Sequence, residues 1–78
     1  MPLYFFHVFN SETTMDEEGQ EFPDSRAARL EAIRSARELI CQNVRDGDLT
    51  LSHRIEVEDE AREPVLTLTF GEAFQINP

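Results

Sequence analysis

Seventy-eight residues leave room for one domain, and a domain of this size buries only about 60–65% of the surface its unfolded chain exposes, which makes a partner or self-association an expectation. Sixteen Asp and Glu against seven Arg and no Lys give a formal charge of −9, which repels phosphate backbones and anionic membranes and argues against a nucleic-acid binder. A hydrophobic fraction of 40% with six Phe supplies a single core and excludes a disordered chain.

The lone Cys41 excludes an internal disulfide. With only two His beside it, a structural zinc site with four Cys and His ligands is excluded as well. That usage fits a reducing compartment. The start, Met-Pro-Leu-Tyr-Phe-Phe-His, has no basic n-region, and its apolar run is too short for a signal peptide or a membrane span, so the expected location is the cytoplasm.

Along the chain, Leu3 to Phe9 is aromatic and β-branched and reads as a first strand. Alternation puts Tyr4, Phe6 and Val8 on one face and Leu3, Phe5, His7 and Phe9 on the other. Both faces are largely apolar, as in an interior strand. Asn10 to Thr14 reads as a polar turn, and Met15 to Phe22 as a short second strand interrupted by Asp16-Glu17-Glu18-Gly19, with Gly19 free to take positive φ.

Pro23 biases Phe22 toward extended geometry, and Asp24 is placed to cap the helix that follows. From Ser25 to about Arg45 there is no Pro or Gly, and the composition predicts a helix of roughly 30 Å, stopped by Gly47. Its apolar side carries Ala28, Ala32, Ile33, Ala36, Leu39, Ile40 and Val44, and small residues there permit close approach to a sheet. Leu51 to Glu58 alternates as a half-buried strand. Asp59 to Glu63 is a turn, and Val65 to Phe70 alternates again, so the two strands are expected to pair as a hairpin.

Residues 71–78 form a tail that either docks or stays loose. The expected fold is α+β: one domain over residues 1–78, an antiparallel sheet of three or four strands with one long helix on one face, in the order β-(β)-α-β-β.

The ordered series Pro2-Leu3-Tyr4-Phe5-Phe6-His7, Asp16-Glu17-Glu18-Gly19, Phe22-Pro23-Asp24, Ala27-Ala28-Arg29, Arg54-Ile55-Glu56-Val57-Glu58 and Val65-Leu66-Thr67-Leu68-Thr69-Phe70 resembles a family of short bacterial proteins classed only as a domain of unknown function. That resemblance covers nearly the whole chain and implies no activity. Asp16 to Leu39, through Glu18-Gly19, Phe22-Pro23-Asp24, Glu31-Ala32 and Glu38-Leu39, also resembles the N-terminal module of HicB-type antitoxins. The chain departs from those antitoxins in lacking their DNA-binding segment.

No motif names a reaction. The acidic run Asp16-Glu17-Glu18-Gly19 lacks EF-hand spacing and reads as a solvated turn. His7 and His53 have no Cys, Ser or second His at a catalytic spacing and read as structural. Cys41 has no feature that would activate a thiol, and Arg26, Arg29 and Arg37 are expected to cover the sheet with their stems while pairing with carboxylates.

The reading is therefore a small acidic non-enzymatic interaction module without cofactor, metal, nucleic acid, membrane or small-molecule substrate. Its expected contact surface is the helix-free sheet face or an unpaired edge strand, with Phe5, His7 and Phe9 as anchors and Arg54 and Glu56 as rim. Its expected partner is a second copy or a basic protein. The alternative is an antitoxin-like binder of a basic ribonuclease toxin.

Overall fold

The computed structural model describes residues 2–77. Its elements are β1 (Leu3–Phe9), β2 (Thr13–Thr14), β3 (Gln20–Glu21), α1 (Ser25–Arg45), β4 (Arg54–Glu58), β5 (Pro64–Thr69) and a 3-10 turn at Phe70–Glu72. Every strand pairing is antiparallel. β1 lies inside the sheet, with β4 and then β5 on one side and both β2 and β3 on the other. This is the expected α+β layer, with five strands because the second strand is split in two.

The split follows from register. Val8 faces Thr14 and Tyr4 faces Gln20, so Phe5, Phe6 and His7 of β1 lie opposite the five residues from Met15 to Gly19. Two extra residues must leave the ladder, which exposes the β1 backbone between the two short strands. Pairing begins at Thr13, within a stretch expected to be a turn, because β-branched threonines suit an extended edge.

Asp16 closes the gap. Its Oδ2 accepts the Phe6 N–H at 3.1 Å, while Oδ1 accepts the N–H groups of Gly19 at 3.0 Å and Glu18 at 3.2 Å. Gly19 has φ +74, and a Cβ there would stand 3.0 Å from both the Leu3 Cγ and the Tyr4 carbonyl oxygen, so no other residue fits the return into β3 without strain.

Helix α1 starts where Asp24, in extended geometry, accepts the Ala27 N–H at 2.9 Å, and it ends before Gly47 at φ +81. Ala28, Ala32 and Ala36 are fully buried, and this narrow stripe lets the helix settle onto Tyr4, Ile55, Val57 and Leu68. Phe22 seals one end, edge-on to Phe6 at 5.7 Å and tilted to Tyr4 at 6.3 Å. Val44, expected on the buried side, is exposed. The helix spans about 30 Å while strands of five to seven residues span about 17–23 Å, so its last turn outruns the sheet.

Strand β4 begins at Arg54 rather than Leu51. The His53 N–H is spent locally on the Thr50 carbonyl, and Leu51 and Ser52 turn outward. Phe70, expected to close β5, is fully buried and opens the 3-10 turn, its carbonyl accepting the Ala73 N–H. The tail therefore docks as far as Ala73, which is buried, and the half-buried Phe74 packs against the core. Gln75 to Asn77 are exposed, and Pro78 of the expected tail lies outside the described residues. Arg37 clamps this segment by donating from Nε to the Ala73 carbonyl at 2.7 Å, a backbone partner where a carboxylate was expected.

Burial works to raise the Asp16 carboxyl, but the N–H donors of Gly19, Phe6 and Glu18 outweigh it and hold it below the usual carboxylate range. A group depressed in the folded state contributes stability that is fully present above its unfolded value, about pH 4, and is lost as pH falls through the lower folded value. Asp16→Asn turns an amide donor toward backbone donors and is expected to cost about 2–3 kcal/mol. In urea unfolding at a series of pH values, the gap between wild type and variant should be constant above about pH 4 and close below it. A gap independent of pH would show that the carboxylate charge plays no part.

Candidate functional site

Antiparallel register brings the five expected interface residues together on the helix-free face. Phe9 lies opposite Arg54, His7 opposite Glu56, and Phe5 opposite Glu58. Two of the three expected anchors are closed within the chain, since Phe5 is 7% exposed and His7 only 3%. The Arg62 guanidinium covers the Phe5 ring at 3.9 Å and Arg54 covers Phe9 at 4.3 Å. The aromatic patch expected on this face is therefore roofed by arginines, and what faces solvent is polar.

Local backbone geometry sets the roof. Asp59 Oδ1 accepts the N–H groups of Ala61 and Glu63, both at 2.9 Å, and the tight turn drives Arg62 to φ 64. A non-glycine residue there costs about 1 kcal/mol, offset in part by laying the guanidinium on Phe5 and within 3.8 Å of Glu58. Arg54 donates from Nε to Glu56 at 2.7 Å while it covers Phe9.

His7 occupies the centre of this arrangement. The Asp16 N–H donates to its Nδ1 at 3.0 Å, so the ring proton sits on Nε2 and is donated to Glu58 Oε1 at 2.7 Å. Both nitrogens are engaged, and the imidazole ties the broken edge to β4. His53 is half-buried and edge-on to Phe70 at 5.7 Å. Among the described residues, no three His, Cys, Asp or Glu side chains are grouped as a cation site would need. Cys41 is exposed on α1 beside Arg37 and Arg45.

The two edges of the sheet differ in charge. At the β2–β3 break, a notch of about 530 Å³ on the helix side is lined by Phe6, exposed Met15, Asp16, Glu17, Glu18, Glu31 and Ser35, among others. Glu31 is held below the usual carboxylate range by its hydrogen bond to Arg34, whereas Glu17 and Glu18 are exposed and pair with no cation among the described residues. Across the sheet, a smaller groove of about 320 Å³ between α1 and β5 is lined by Ser25, Arg26, Arg29, Val65 and Leu66.

A family model described as Domain of unknown function (DUF6894) matches residues 3–71. The chain belongs to this family. No curated protein and no solved structure matches it. The matched segment runs from β1 through the first residues of the 3-10 turn, so the family's domain includes the broken edge, the helix and the hairpin. No helix in the described part of this family member is long and apolar enough to cross a membrane.

Reasoning from residue order places Phe5, His7, Phe9, Arg54 and Glu56 on one face but not the roof over them. Arg62 lies in a turn, and nothing in residue spacing says that a left-handed backbone aims it at Phe5. The Asp16 contacts are equally non-local, joining Phe6 ten residues away. A double-mutant cycle of Phe5→Ala and Arg62→Ala, followed by denaturant unfolding, is expected to give a coupling of about 0.5–1 kcal/mol. Additive effects would mean that Arg62 does not cover the ring.

Proposed function

We propose that this protein is a non-enzymatic interaction module whose acidic β2–β3 edge receives a cationic segment of a partner protein. The observation that carries the reading is the notch itself. It is a concave site with an aromatic wall at Phe6 and unpaired carboxylates at Glu17 and Glu18, in a molecule of formal charge −9. Carboxylates beside an aromatic face suit an Arg or Lys side chain, since the ring face and the anions attract the same cation.

The non-enzymatic reading is supported by how the histidine and two of the carboxylates at the break are engaged. A general base needs a lone pair within reach of a substrate. Here both His7 nitrogens are bonded in a buried position, Asp16 is spent on three backbone N–H groups, and Glu31 is held by Arg34. The reading moves the contact surface away from Phe5, His7 and Phe9, whose apolar area is already roofed. A basic ribonuclease toxin, the partner implied by resemblance to HicB-type modules, has the right chemistry for the notch and is one candidate among cationic proteins.

Titration of the 15N-labelled protein with a short arginine-rich peptide at about 0.15 M salt tests the reading. Saturable shifts confined to Phe6, Met15, Glu17, Glu18, Gln20, Glu31 and Ser35, lost in a Glu17→Arg/Glu18→Arg variant, are the expected result. Equal shifts at Asp46, Asp48 and the Asp59 to Glu63 turn would mean that the peptide senses only overall charge, and the reading would fail.

A further inference from the structure

We propose that the notch receives the β5 edge of a second copy of this chain in a head-to-tail contact, with Arg26 and Arg29 of the adjoining helix α1 supplying the cations. The inference rests on the functional reading above and names the partner. It starts from uneven charge: α1 carries five of the seven arginines against two glutamates, leaving two arginines against fourteen carboxylates in the rest of the chain. Arg26 and Arg29 are exposed, line the groove beside Val65 and Leu66, and pair with no carboxylate among the described residues.

The β5 backbone is open on the same side. The Phe70 N–H donates to the His53 carbonyl, and antiparallel alternation then turns Leu68 and Leu66 toward β4 and the Thr67 N–H and carbonyl outward. β2 and β3 form the opposite edge, which ends in the carboxylates of the notch and exposed Met15. Both sites lie on the helix side of the sheet, one against Glu31 and Ser35 and the other against Arg26 and Arg29. A copy displaced across the width of the sheet therefore sets arginines against carboxylates while both helices stay on one face.

Symmetric contacts are disfavoured. Joining β5 to β5 brings the arginine-lined flanks together, and joining the β2–β3 edges opposes carboxylates. A contact between unlike edges does not close on two copies and extends with concentration. It is also weak, because Pro64, the register shift at Val57/Glu58 and the Glu72 carboxylate on the Thr69 N–H leave only a short run of open backbone.

Salt provides a signature. At about 0.01 M the net charges of two copies repel across a Debye length of about 30 Å. At about 0.15 M that range shrinks to about 8 Å and the contacting charges remain, whereas at about 1 M they too are screened. Association is thus greatest at intermediate ionic strength.

Sedimentation velocity over a concentration series tests the proposal with wild type, Arg26→Glu/Arg29→Glu and Glu17→Arg/Glu18→Arg, each first shown to be folded by circular dichroism. Wild type should associate with a maximum near 0.15 M salt. Each variant alone should associate at least tenfold more weakly, and an equimolar mixture of the two should regain association, since it restores one native contact and creates one charge-reversed contact. Association by either variant at wild-type strength, or a mixture that stays monomeric, overturns the proposal. A wild type that binds the arginine-rich peptide at the notch yet remains monomeric at millimolar concentration removes the second copy and leaves the functional reading intact. Failure of both experiments removes both.

Discussion

The Asp16 carboxylate is the constraint on which the rest of the sheet depends. Two extra residues opposite Phe5, Phe6 and His7 leave β1 without a continuous partner, and a part-buried N–H left unmet there would cost more than the net value of the bond that satisfies it. One side chain meets the Phe6 N–H and the two N–H groups that turn the chain back into β3. It must do so as an anion, since a neutral acid would place a proton among donors. The break is thus a built feature, and the notch that makes this edge distinctive is its direct consequence.

The same residue links the two faces. The Asp16 N–H fixes the His7 tautomer, His7 then donates to Glu58, and Glu58 sits within ion-pair distance of Arg62, which roofs Phe5. A polar chain of this kind rigidifies when every member is satisfied and is costly when one is not. It explains how a histidine that is 3% exposed is accommodated, with both ring nitrogens bonded. It also explains why the helix-free face has little apolar area to offer a partner.

Helix α1, its Asp24 cap, its alanine stripe and the hairpin β4–β5 were all legible in residue order, because each rests on local periodicity or a neighbouring side chain. The paired set of Phe5, His7, Phe9, Arg54 and Glu56 was legible for the same reason, since alternation decides faces once strands are assigned. Three features were not. Thr13–Thr14 read as turn because a two-residue strand has no period. Leu51 read as strand because alternation cannot tell that the His53 N–H is spent on Thr50. The roof of Arg62 and Arg54 depends on a left-handed turn and on cross-strand reach, which spacing does not encode.

Charge placement is the property that joins the fold to the proposed interaction. A chain of formal charge −9 would be expected to spread its seven arginines among sixteen carboxylates, yet five sit on one helix, and two of those line an open edge without a carboxylate partner among the described residues. On a surface where isolated ion pairs contribute little to stability, leaving arginines unpaired costs the fold almost nothing and preserves a local field that points outward from one edge. The opposite edge, broken at Asp16 and lined by Glu17 and Glu18, carries the complementary field. An oppositely charged pair of edges contributes to neither core nor sheet; on the proposed reading it draws cations to one side and anions to the other, and in a solution of its own copies it would favour unlike edges over like.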